Sequence, residues 1–202
     1  MQPVSGVQLI VMSEHVDYWD HDGWKDPYSS SQFTDRQAGY VRSMGLGSPY
    51  TPQLVVDGNS ELQLAQPDQV RRALAKAASL PALPVSISSL RVEPSTITAH
   101  ITVGSEHNGP GADVFAAIAL NHAESQVAHG ENRGRLLKHV AVVQQLTKVG
   151  RLGKTGIVSQ DIRMKLPPSA DVSNLRLIVF AQETGFGRVL GVAEASISTA
   201  GK

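Results

Sequence analysis

"SPYTPQLVVDG", Ser48–Gly58, decides how the N-terminal part of the chain is read. Pro49 and Pro52 hold the backbone before them away from helix. "PQLVVDG" (52–58) then reads as a short strand. Asp57-Gly58 is a hairpin signal, so "SELQLA" (60–65) is expected to return antiparallel.

The flanking sequence supplies helices. In "PDQVRRALAKAASL" (67–80), Val70, Ala73, Leu74 and Ala77 fall on one helical face. Pro67 suits the first helical position and Asp68 the positive end of the dipole. Upstream, Ser29, Ser30 and Ser31 offer N-cap oxygens to a helix carrying Phe33, Tyr40, Val41 and Met44 on one face. Gly45 fits its end. Residues 14–31 read as a long loop rich in Asp, Ser and aromatics. "VQLIVMS" (7–13) reads as a strand buried on both faces. The order strand, loop, helix, strand, strand, helix predicts an α/β segment.

"LPALP" (80–84) is stiff and marks a boundary, giving units 1–80 and 85–202. The second unit alternates apolar and polar residues. Strands are expected at 84–92, 96–104, 114–120, 124–128, 137–150, 156–166, 175–183 and 188–197, with 124–128 as the hairpin partner of 114–120. Loops are expected at 107–113 and 129–135. Short strands with frequent turns predict a β-sandwich.

The totals exclude several classes. The 202 residues are 41% hydrophobic and 18% charged, with zero formal net charge and no Cys. No overall field draws the chain to nucleic acid or membranes. The longest apolar run, Val114–Leu120, is far too short to span a bilayer. Disulfides, thiolate metal sites and dithiol chemistry are excluded. The start, "MQPVSGVQLIVM", has neither a basic region nor a cleavage motif, so no signal peptide is read there.

Long phrases carry a family resemblance. They are His15–Trp19, Gly23–Pro27, the pair Arg36-Gln37 and Tyr50–Gln53, continuing through "GENRGRLLKHVAVV" (130–143). Together they resemble the bacterial domain-of-unknown-function 1223 family. The resemblance implies a thioredoxin-like fold, export to the periplasm or outside, and no settled activity. It implies that Pro52 is a cis-proline preceded by Thr51. Family members typically open with a strand and a Cys-x-x-Cys-Pro-Pro helix start, and that unit is not found here. The expectation is therefore an incomplete thioredoxin-like domain at 1–80 followed by a β-sandwich at 85–202. Sheet edges exposed by the missing unit offer a route to oligomers.

Candidate sites follow. Tyr50, Thr51, Pro52, Trp19 and Trp24 are the binding candidates, because aromatics give large contact area with a polar edge. The alternative is that the aromatics pack the long loop onto the sheet. His15, Asp17 and His21, with Asp20 and Asp22 beside them, are candidate metal ligands. Against this, the loop's polar side chains can hold its own turns. No metal is assigned. Arg133, Arg135, Lys138 and His139 read as a solvated basic cluster with no aromatic for stacking. No nucleophile elbow or phosphate loop is present, so no catalytic residue and no cofactor is assigned. Two functions stay open. One is a non-catalytic binding or structural module for a peptide or protein. The other is a truncated form of an exported thiol-disulfide oxidoreductase whose Cys-x-x-Cys lies upstream.

Overall fold

Alternating residues in the second half of the chain build seven antiparallel strands. In the computed structural model these are β3 (Val85–Val92), β4 (Thr96–Val103), β5 (Ala112–Gln126), β6 (Leu136–Leu152), β7 (Val158–Lys165), β8 (Leu175–Glu183) and β9 (Val189–Ser196). Ahead of them lie α1 (Ser31–Ser43), β1 (Gln53–Val56), β2 (Ser60–Gln63) and α2 (Pro67–Ala78). The structure describes residues 7–63, 66–104, 111–129, 133–153, 156–168 and 171–198. Parts of the loops expected at 107–113 and 129–135 lie outside the described residues.

Strands β3-β4-β7 form one sheet and β6-β5-β8-β9 another. Between them lies the main core, which includes Ile97, Ile101, Val114, Ile118, Ile162, Leu177 and Val179. The four-stranded sheet is apolar on its other face as well. There Ala117, Ala119, Val143, Leu146, Ile178 and Phe180 receive Phe33 of α1, with Ile10 and Met12 packed alongside. Burial on both faces explains why 114–120 and 175–181 are nearly unbroken apolar runs.

The third sheet is the β1–β2 hairpin, in register from Gln53–Gln63 to Val56–Ser60. At its tip Asp57 and Gly58 both have positive φ, 52° and 73°, as the expected turn requires. The tip docks on the four-stranded sheet, with Val189 N–H donating to Asp57 O at 2.8 Å. A Cβ at residue 58 would run into the Gly187 carbonyl, so this position needs glycine twice over.

The α/β, thioredoxin-like expectation for the first segment is corrected. The chain is mostly β, with nine strands and two α-helices among the described residues, in three antiparallel sheets. Among the described residues parallel pairing is limited to one bridge, Ser13 to Val142. Residues 7–13 form no strand. They lie against the four-stranded sheet, where Ser13 N–H donates to Ala141 O and Val143 N–H to Ser13 O. Arg176 donates to Val11 O at 2.7 Å. The apolar side chains of this run cover a sheet face instead of filling the middle of a sheet. Among the described residues the hairpin strands pair only with each other, and helix α1 takes its partner surface from β5, β6 and β8. A second correction concerns 124–128, which is no separate strand. β5 runs on into it, pairing with β6 as far as Gln126–Leu136, where the strand ends.

Candidate functional site

The loop from Glu14 to Ser31 is organised by its own polar groups. Asp20 accepts from the Asp26 N–H at 3.2 Å and from the Ser29 hydroxyl at 2.8 Å. Thr34 donates to Asp17 at 2.6 Å and accepts the Asp17 N–H. Ser30 caps α1 by accepting the Gln32 N–H. This places the metal candidates separately. His15 faces Asp26, Asp17 is held by Thr34, and His21 is exposed on a 3-10 turn. No three His, Asp or Glu side chains among the described residues are placed to hold a metal ion.

The loop meets the β5–β6 ribbon through a cluster that crosses the whole chain. His15 Nδ1 and Asp26 Oδ2 are 2.7 Å apart. The His15 ring lies 5.0 Å from that of His139, and Tyr28 packs edge-on against both. His139 Nε2 is 2.8 Å from the Ser125 hydroxyl, and Tyr28 donates to the Glu124 carbonyl. Burial raises the Asp26 pKa, but the hydrogen bonds from His15 and Tyr28 and the charges of His15 and His139 outweigh it and hold the carboxyl below its usual range. Burial, helped by His15, pushes His139 down against the pull of Asp26. At neutral pH the His139 ring is therefore uncharged and can accept the Ser125 hydroxyl hydrogen. The pair does not make a catalytic relay, because the carboxylate sits on His15 rather than on His139. It is a clasp.

The clasp loosens in acid, and the sign follows from both groups. Each is depressed in the folded state, so the unfolded chain binds more protons. Its contribution is complete above the ordinary pKa and lost as pH falls. For His139 the loss begins as pH drops from about 6.5. Denaturant unfolding measured from pH 8 to pH 5 should show falling stability below that point, and a shallower fall in His139→Gln. Equal slopes in the two proteins would contradict the assignment.

Beneath the loop a charged group is buried. Arg36, 7% exposed, donates to Glu14 at 3.1 Å, to the Tyr40 hydroxyl at 2.9 Å and to Gln182 Oε1 at 3.1 Å. Gln182 Nε2 donates to Tyr40 and to the Gly187 carbonyl. The guanidinium lies over the Tyr40, Phe115 and Phe180 rings. Burial raises the Glu14 pKa despite the Arg36 charge beside it, and likewise raises Tyr40.

The binding candidates gather beside α1, where Gln37 reaches them. Trp19 Nε1–H donates to Thr51 Oγ1 at 3.1 Å, and the Tyr18 ring tilts against the Trp19 ring. Gln37 accepts from the Tyr18 hydroxyl and donates to the Tyr50 carbonyl at 2.9 Å. The Tyr50 hydroxyl donates to Glu61. The Thr51–Pro52 peptide is cis, as expected. Trp19 is 54% exposed and Thr51 and Pro52 are open to solvent. Trp19, Tyr50, Thr51 and Pro52 thus come together, while Trp24 is half-buried and takes no part in these hydrogen bonds.

Two residues escaped sequence reasoning. Gln37 was visible only as half of the Arg36-Gln37 pair, yet it joins the loop to the proline turn. His139 was grouped with Arg133, Arg135 and Lys138, which are exposed. Alternation along "LKHVAVV" turns His139 away from Lys138 and could have separated them.

A family model described as "Protein of unknown function (DUF1223)" matches residues 2–182. A search of curated proteins finds no match. The X-ray structure of a structural-genomics target from Agrobacterium tumefaciens is similar, with 20% identity and a TM-score of 0.68, covering 95% of this chain and 82% of that one. At that identity the likeness speaks for the fold alone. A β-glucosidase from Kluyveromyces marxianus overlaps 59% of this chain and 14% of its own, with 15% identity and a TM-score of 0.31, which carries no argument.

Proposed function

Since the chain belongs to the DUF1223 family of proteins of unknown function, we propose that it is a non-catalytic binding module that takes a segment of a partner polypeptide on the Trp19–Tyr50–Thr51–Pro52 surface. The observation that carries this is Trp19. A ring of that size, 54% exposed, is held in place through its Nε1–H instead of being packed away. Covering it removes large apolar area from water at little entropic cost, the usual character of an interface anchor. Neither strand of the neighbouring hairpin has a second strand partner among the described residues, so an extended segment can also find main-chain hydrogen bonds there.

Panning a random peptide display library against the purified chain tests this. Recovered peptides are expected to lose about tenfold or more in affinity for Trp19→Ala, the loss of about 1.4 kcal/mol that marks an anchor residue. With Trp24→Phe removing the other indole, binding should change the fluorescence of Trp19. Recovering no peptide whose binding depends on Trp19 would refute the assignment.

A further inference from the structure

A groove of about 780 Å³ runs between the β1–β2 hairpin and α2, bounded also by the 185–187 turn and the C-terminal end of α1. Five successive residues, Gly58–Leu62, line it. One face of a strand shows only alternate residues. Gly58 and Asn59 belong to the turn, but Ser60, Glu61 and Leu62 of β2 line the groove in unbroken succession, so it meets the strand's edge, and β2 has only β1 as a strand neighbour among the described residues. Arg72 and Lys76 of α2 share the lining, both exposed and neither ion-paired among the described residues. Met44, Leu46 and Phe186 give the groove apolar surface. The Glu61 carboxylate, also in the lining, already accepts the Tyr50 hydroxyl.

The spacing selects the ligand. Arg72 and Lys76 are one helical turn apart, about 6 Å along the axis. Alternate residues of an extended chain, which share one face, are about 6.6 Å apart. Two carboxylates at i and i+2 of a strand therefore meet both cations at once, while carboxylates at i and i+1 point to opposite faces. The groove is open along its length, which suits a polypeptide better than an enclosed small molecule.

We propose that this groove takes an extended acidic segment of a partner protein, its main chain added to the free edge of β2 and its acidic side chains at i and i+2 paired with Arg72 and Lys76. The inference does not depend on the Trp19 surface.

The test uses fluorescence anisotropy of a labelled Thr-Glu-Val-Glu-Val-Thr peptide titrated with the whole chain. Saturable binding that weakens with salt is expected, with a loss of about tenfold or more in the double variant Arg72→Glu, Lys76→Glu. Trp19→Ala should bind this peptide like the parent, which separates failure of this site from failure of the other. Main-chain N-methylation of the peptide should also abolish binding. No binding at about 1 mM, equal binding by the charge-reversed variant, equal binding of a peptide with adjacent glutamates, or displacement by glutarate at the same concentration would each overturn the proposal.

Discussion

Arg36→Ala is expected to lower the unfolding free energy by about 3–5 kcal/mol, the usual loss when one partner of a buried ion pair is removed. The variant strips Glu14 of its counter-charge and leaves Tyr40 and Gln182 with unfilled hydrogen bonds. It also opens a cavity beneath the Phe115 and Phe180 rings. The loss should depend on pH in a defined direction. Glu14 already binds its proton more tightly than an ordinary carboxyl because of burial, and without Arg36 it binds it more tightly still. The folded variant then holds more protons than the unfolded chain, so its stability falls as pH rises through the folded pKa. Destabilisation measured by denaturant unfolding should be smaller near pH 5 than near pH 8. Adding Glu14→Gln to Arg36→Ala should recover part of the loss at pH 8. A pH-independent loss, or no recovery, would show that packing rather than charge dominates the cluster.

Phe33→Ala should cost a similar amount, about 3–5 kcal/mol, typical of deleting a buried aromatic ring. Phe33 is 3% exposed and is α1's main contribution to the outer face of the four-stranded sheet. Ordinary domains are stable by about 5–15 kcal/mol, so either variant stands close to unfolding. The two should differ in hydrogen exchange. Losing Phe33 loosens the attachment of α1 while leaving the core between the sheets intact. Exchange should therefore accelerate in Ser31–Ser43 before it does in β4 or β7. Uniform acceleration across the chain would mean that α1 is not a separable layer.

Sequence pattern read the local elements well and their partners poorly. The hairpin at 53–63, the cap at Ser30 and the alternating strands β3, β4 and β7 all rest on short-range chemistry, and they appear where the residues place them. The run at 7–13 is apolar in either role, as a strand inside a sheet or as a cover over one, and nothing local distinguishes the two. Residues 121–126 misled for a related reason. β5 pairs with β8 only up to Leu120, and beyond it has β6 alone. A ribbon paired on one side buries less, so "NHAESQ" loses the apolar signal although the strand continues. The candidate site divides the same way. The Trp19–Thr51 contact lies between residues already grouped by composition. The meeting of His15 with His139 depends on the course of the whole chain, and no spacing rule reaches that far.

The packing of Phe33 against a sheet whose members Ile178 and Phe180 follow it far along the chain has a consequence for biosynthesis. At about 5–20 residues per second, a ribosome needs roughly 7–30 s to travel from the helix to its partner strand. During that interval the hairpin and helices can form, but Phe33 lacks the β8 part of its partner surface. Docking of α1 is therefore complete only once β8 has been made.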